Sequence, residues 1–251
     1  MDTATATVAS PPAIRAKLRK SPFFSLLGLA MLLMAVAGFW PQYFSALTGR
    51  ASAPSAQFWL IHVHAALFTG WLILYTSQAA LVMLGRTRVH SRLGPWLTAY
   101  GAAIAAVGIY AALLLAHRFG VRQNDFEAAA QFVFFPLIDM LYFAGFLAAA
   151  VVWRRRPDLH KRAMLVATFS IAVVGVGRLV GRLPFESAFI WQPLNLLPLL
   201  AAIAYDLWAG RRMYTVLIVG LALHLLRLNA ELFTTTEAWL PIGRALIAPF
   251  R

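Results

Sequence analysis

The chain contains no cysteine. Disulfides, thiolate metal sites, iron–sulfur clusters and thioether-attached haem are therefore excluded. Charge is also scarce: only 12% of residues are charged and only 9 are acidic. A soluble domain carries about 25% charged residues. No polar stretch is longer than a loop, so no separate soluble domain fits. Lysine is rarer still, with Lys17, Lys20 and Lys161 alone. A buried Schiff-base lysine, and with it a retinal protein, is excluded.

What is present is apolar. The 251 residues are 61% hydrophobic, with a mean hydropathy of +0.72. Crossing the roughly 30 Å of a bilayer core takes about 20 apolar residues. Seven segments qualify or nearly do: 23–47, 58–84, 94–117, 129–153, 162–182, 192–209 and 213–233. The sixth is short and interrupted by Pro193 and Pro198. The net charge of +13 is dispersed between these runs. That pattern suits anionic headgroups and membrane orientation rather than nucleic acid.

Orientation follows from the basic residues. With the N-terminus inside, Arg15, Lys17, Arg19, Lys20, Arg86, Arg88, Arg92, Arg154, Arg155, Arg156, Lys161, Arg162, Arg211 and Arg212 fall at inner ends, 14 of the 22. The expected fold is an all-α integral membrane protein, a seven-helix bundle with its N-terminus in and C-terminus out. Residues 1–21 read as a disordered basic segment, 22–233 as the membrane domain, and 234–251 as a short periplasmic or interfacial tail anchored by Trp239. The expected location is the inner (cytoplasmic) membrane, with lipids as the first partners.

Ionisable side chains inside spanning helices cost about 2.5–3.5 kcal/mol each on insertion scales, so they need partners or a wet cavity. Here they are His62, His64, Asp139, Arg178, Arg182, His224, Arg227 and Glu231. Measured at 1.5 Å per residue, His62 and His64 lie roughly 6–9 Å below the outer end of their helix, and Asp139 lies ~15 Å below its own. His224 lies about 13 Å and Arg227 about 9 Å below the outer end of the seventh helix. On helix two, His64, Phe68, Trp71, Tyr75 and Gln78 share one face, whereas His62 points away. Helix four aligns Phe132, Phe135, Asp139, Tyr142 and Phe146. Helix seven aligns His224, Arg227 and Glu231.

Two functions compete. In the first, the site binds haem b or a transition metal for redox work with a redox partner. His64 and His224 would then be axial ligands, with Arg178, Arg182 and Arg227 at the propionates and Trp71 and Tyr142 as walls. In the metal variant the ligands are His62, His64, His224 and Asp139. In the second, a receptor or transporter-like module takes a small anionic ligand or lipid from the periplasmic side. Both expect His64 and His224 in one outer-half cavity beside Arg178 and Arg227, and Asp139 paired with a cation or histidine. The bland account, in which the polar groups only fasten helices, accounts for much of the same pattern. "GVGRLVG", with Gly177 and Gly181 four apart, reads as close helix packing, not a nucleotide loop.

An internal echo places Arg-x-x-x-His-x-Arg on two inner loops, at Arg86/His90/Arg92 and Arg156/His160/Arg162. Its histidines suit a phosphate or propionate, although inner-loop charge alone accounts for the arginines. The segments "HVHAALFTGWLILYTSQAALVMLGRTRVHSRLG" and "RRRPDLHKRAMLVAT" resemble uncharacterised bacterial multi-helix inner-membrane proteins, which carry an HxH helix followed by HxRLG and HKR loops. The resemblance covers roughly residues 58 to 182 and implies an inner-membrane location. A weaker similarity is to helical haem-b membrane proteins. The chain departs from these in lacking well-spaced histidine pairs at both leaflets.

Overall fold

A computed structural model describes residues 21–49, 59–184, 187–209 and 215–250. The expectation of a disordered 1–21 falls almost wholly outside them. Every element among the described residues is helical. We number them α1 (Phe23–Phe39), α2 (Trp59–Met83), α3 (Thr87–Gln123), α4 (Phe126–Val152), α5 (Pro157–Val180), α6 (Ala188–Asn195), α7 (Leu197–Trp208), α8 (Thr215–Leu228), α9 (Glu231–Thr234) and α10 (Leu240–Ile247). Five spans are long and apolar enough to cross a membrane: Phe23–Leu47 and α2 to α5.

Proline explains two departures from regular helix. The first span continues through a wide π turn at Trp40–Phe44. Pro41 has no N–H to return to the Ala37 carbonyl, which accepts from the Trp40 N–H instead. The expected sixth helix is two pieces, α6 and α7, meeting at Leu196, with Pro198 in the first turn of α7. The expected seventh also breaks, after Leu228. Glu231 therefore starts a separate turn, exposed, and does not share a face with His224 and Arg227.

α5 is the axis of the bundle. Of its apolar stretch 72% is buried, against 22–33% for the other four spans. Its buried residues are mostly small or β-branched and lie on every side, including Ala163, Val166, Ala167, Ala172 and Val173, as in a helix enclosed all round. Glycine permits the closest contact. A Cβ on Gly38 would lie 2.0 Å from the Gly175 carbonyl oxygen, and one on Gly175 would lie 2.7 Å from the Ala35 Cα. The close crossing thus falls on Gly175, not on Gly177 or Gly181. Gly177 faces Asn195. The outer surface is apolar, with Leu26, Leu33, Ile73, Leu141, Val152 and Leu226 exposed; such a surface matches lipid rather than water.

The α2–α3 and α4–α5 turns lie at one end of the bundle, here the basic end. The C-terminal end of the first span and the α3–α4 turn lie at the far end. The tail packs there against the protein: the Trp239 indole N–H donates to the Ala130 carbonyl (2.8 Å), and Ile247 joins Ala116, Ala129 and Val133. Trp239 is thereby fixed to α4.

Candidate functional site

α4 carries Asp139 and Tyr142 one turn apart, and α8 carries His224 and Arg227 one turn apart. At that spacing each pair shares a face. The two faces meet. Arg227 donates from Nε to Asp139 Oδ1 (2.9 Å) and from Nη2 to Oδ2 (2.8 Å), a two-pronged ion pair on a carboxylate only 1% exposed. One turn toward the basic end, the Tyr142 hydroxyl donates to the Leu223 carbonyl (3.2 Å), and its ring lies 5.3 Å from the His224 ring. Asp139 therefore has the cationic partner that its burial demands.

His224 is wholly buried and both of its nitrogens are engaged. Nδ1 lies 2.7 Å from the Gly220 carbonyl and Nε2 lies 3.2 Å from Ser170 Oγ. A carbonyl oxygen only accepts, so Nδ1 carries the hydrogen, and Nε2 lies against a Ser170 hydroxyl that donates to the Val166 carbonyl (2.9 Å). On the neighbouring side, the Trp71 indole N–H donates to Thr168 Oγ1 (3.1 Å). α5 thus offers Thr168 to α2 and Ser170 to α8. Together these contacts form a polar layer across α2, α4, α5 and α8 near mid-bundle.

The remaining site residues lie elsewhere. The helix-two stripe does face inward, with Trp71 and Tyr75 buried. His64 stacks on Phe68 (3.9 Å between centroids), and its Nδ1 is buried without a hydrogen-bond partner. His62, turned away from it, meets the Tyr43 hydroxyl at 3.0 Å. On helix four the stripe is divided: Phe135 lies under the Arg227 guanidinium, whereas Phe132 is 50% exposed. Among the described residues no contact joins His64 to His224, and no three His, Asp or Glu side chains gather as a metal site. His62, His64, His224 and Asp139 are each held by different neighbours. Two hollows lie along the far end of α3, one of about 60 Å³ bounded by His117 and Phe126 and an open groove of about 600 Å³ bounded by Arg118 and Phe250.

The far-end arginines are held by α1. Arg182 donates to the Ala37 carbonyl (3.0 Å) and to the Gly38 carbonyl. At Ala37 it is a second donor beside the Trp40 N–H. Arg178, one turn earlier, is exposed and lies over the Phe39 ring at 5.0 Å. Among the described residues it has no acidic or hydrogen-bonding partner.

One polar pair escaped the sequence reading. Arg162, counted there as loop charge, is fully buried on α5 and forks onto Asp206 of α7, also fully buried. It also donates to the Asp158 carbonyl (2.7 Å). The available signal was a lone acid on an apolar helix, for which the nearest inner-end cation is a natural partner.

No family model, curated protein or solved structure matches the chain.

Proposed function

We propose that the chain is a seven-span protein of the inner membrane, N-terminus in and C-terminus out, that binds a small anionic ligand at its outer, far end. Support for seven spans is metrical. Ala188–Trp208 holds 20 helical residues, about 30 Å at 1.5 Å per residue, and Thr215–Thr234 holds 18, about 27 Å. Support for the orientation is the arginine load of the α2–α3 and α4–α5 turns.

One observation carries the ligand reading. Arg178 stands exposed on an aromatic face with no acid beside it, while Arg182 is fixed one turn away. A guanidinium placed over a ring and unpaired suits a carboxylate or phosphate. The carboxylate of the mid-bundle layer, by contrast, is already taken up by Arg227. The test is calorimetric titration of the detergent-solubilised protein with orthophosphate and with short-chain phosphatidylglycerol. Arg178→Ala should weaken binding about tenfold or more. Arg244→Ala, which removes an exposed pair with Glu127, should leave it unchanged. Equal binding by Arg178→Ala and wild type refutes the proposal.

A second reading rests on the unpartnered His64 Nδ1. It makes the protein a haem b or transition-metal redox protein, with His64 as a ligand and Arg178 and Arg182 near the propionates. His224 would join through Nε2 by leaving Ser170, with Nδ1 still donating to the Gly220 carbonyl. A Soret band in the purified protein that is lost in His64→Ala would favour it.

A further inference from the structure

The two copies of Arg-x-x-x-His-x-Arg occupy equivalent places in the fold. Arg86 is the N-cap of α3 and Arg156 the N-cap of α5. His90 and His160 follow four residues later, each in the second helix of a hairpin. The hairpins α2–α3 and α4–α5 bring these two rings together at the basic end, with centroids 6.2 Å apart and planes at 81°. This is remote from the far-end arginines and independent of the ligand proposed there.

Their hydrogen bonds decide what such a pair can bind. His160 Nδ1 lies 2.8 Å from the Ala150 carbonyl in the last turn of α4. Nδ1 therefore bears the hydrogen, and Nε2 presents a lone pair. Histidines that ligate metals are oriented in this way, with the other nitrogen donating to a main-chain oxygen. His90 lies against the Gln78 main chain, and its Nδ1 is buried with no partner. The Gln78 side-chain Oε1, near the end of α2, is also buried with no partner. An amide oxygen and an imidazole lone pair are acceptors, and acceptors without donors call for a cation. An anion would first require both touching imidazoles to be protonated.

We propose that His90 and His160 form a transition-metal site at the basic end, for an ion of the zinc, nickel and copper group, with Gln78 Oε1 as a further donor. Two imidazoles sharing one ion through bonds of about 2.0–2.1 Å hold their ring centres roughly 5–6 Å apart. The observed 6.2 Å lies just beyond that range. The nearest buried cation, Arg162, is neutralised by Asp206 and Asp158. Arg86, Arg88, Arg92 and Arg154 to Arg156 are exposed, so solvent and salt screen them. No third His, Asp or Glu completes the set among the described residues, so water fills the remaining positions.

The experiment uses the full chain, tag-free and chelator-stripped in detergent, and Zn²⁺ alone in competition with a chromophoric chelator. One ion per chain is expected. His90→Ala is the first variant, because it removes the partner-free Nδ1 itself and leaves the His160 bond to Ala150 in place. It should weaken binding about tenfold or more, and His90→Ala/His160→Ala should abolish the site. Gln78→Ala should weaken it less, and His64→Ala and His117→Ala not at all. With Cu²⁺ as the probe, electron paramagnetic resonance should show two coordinating nitrogens in the wild type and one in His90→Ala. The proposal is overturned if His90→Ala binds Zn²⁺ like the wild type. It is equally overturned if the wild type binds no more than the double variant.

Discussion

Arg227→Ala isolates the cost of leaving a carboxylate alone inside the bundle. Asp139 sits midway along α4, 1% exposed, and both of its oxygens accept from Arg227. Removing the arginine strands that charge, and loss of one partner from a buried pair costs about 3–5 kcal/mol. Asp139→Ala should cost less, about 1–2 kcal/mol, since interhelical hydrogen bonds in bilayers are modest. The Arg227 side chain left behind is 15% exposed and rests on Phe135, so it can turn toward the boundary. The double variant should recover most of the loss. Reversible unfolding of all four proteins in mixed micelles then gives a coupling of about 2 kcal/mol or more. If the two single changes add to within about 0.5 kcal/mol, the pair is not a structural unit and the reasoning fails.

Further expectations can be checked separately. Gly175→Ala pushes a methyl group to 2.7 Å from the Ala35 Cα, a backbone atom that cannot step aside; it should destabilise by about 1–3 kcal/mol. Gly145→Ala, with nothing within 4 Å, should be neutral or slightly stabilising in the same melts. Arg162→Lys keeps the charge but loses the fork onto Asp206, and should lower the melting temperature clearly; an unchanged melt would contradict the importance of the two-pronged geometry. Trp71→Phe keeps the ring and loses the bond to Thr168, for about 1 kcal/mol. Reporter fusions after Lys20, Arg88, Arg156 and Arg212 should all read cytoplasmic. A periplasmic signal at any of them overturns the orientation.

The helices were legible in the linear chain because apolar length and a 3.6-residue period are local properties. So was the demand placed by Asp139, since a carboxylate amid apolar residues needs a partner wherever the fold puts it. The inward stripe from His64 to Tyr75 is visible for the same reason. What periodicity leaves undetermined is each helix's rotation against its neighbours and its axial register. Those are set by packing, as where Gly38 and Gly175 let α1 and α5 nearly touch. Only that packing chose Arg227 for Asp139 over Arg178 or His224. It gave His224 to Ser170, away from His64, and buried Arg162 on Asp206 although it reads as loop charge. The echo shows the division most plainly. Spacing along the chain revealed two similar histidines 70 residues apart, counted from His90 to His160. The 6.2 Å between their rings exists only because two hairpins fold against each other at one end.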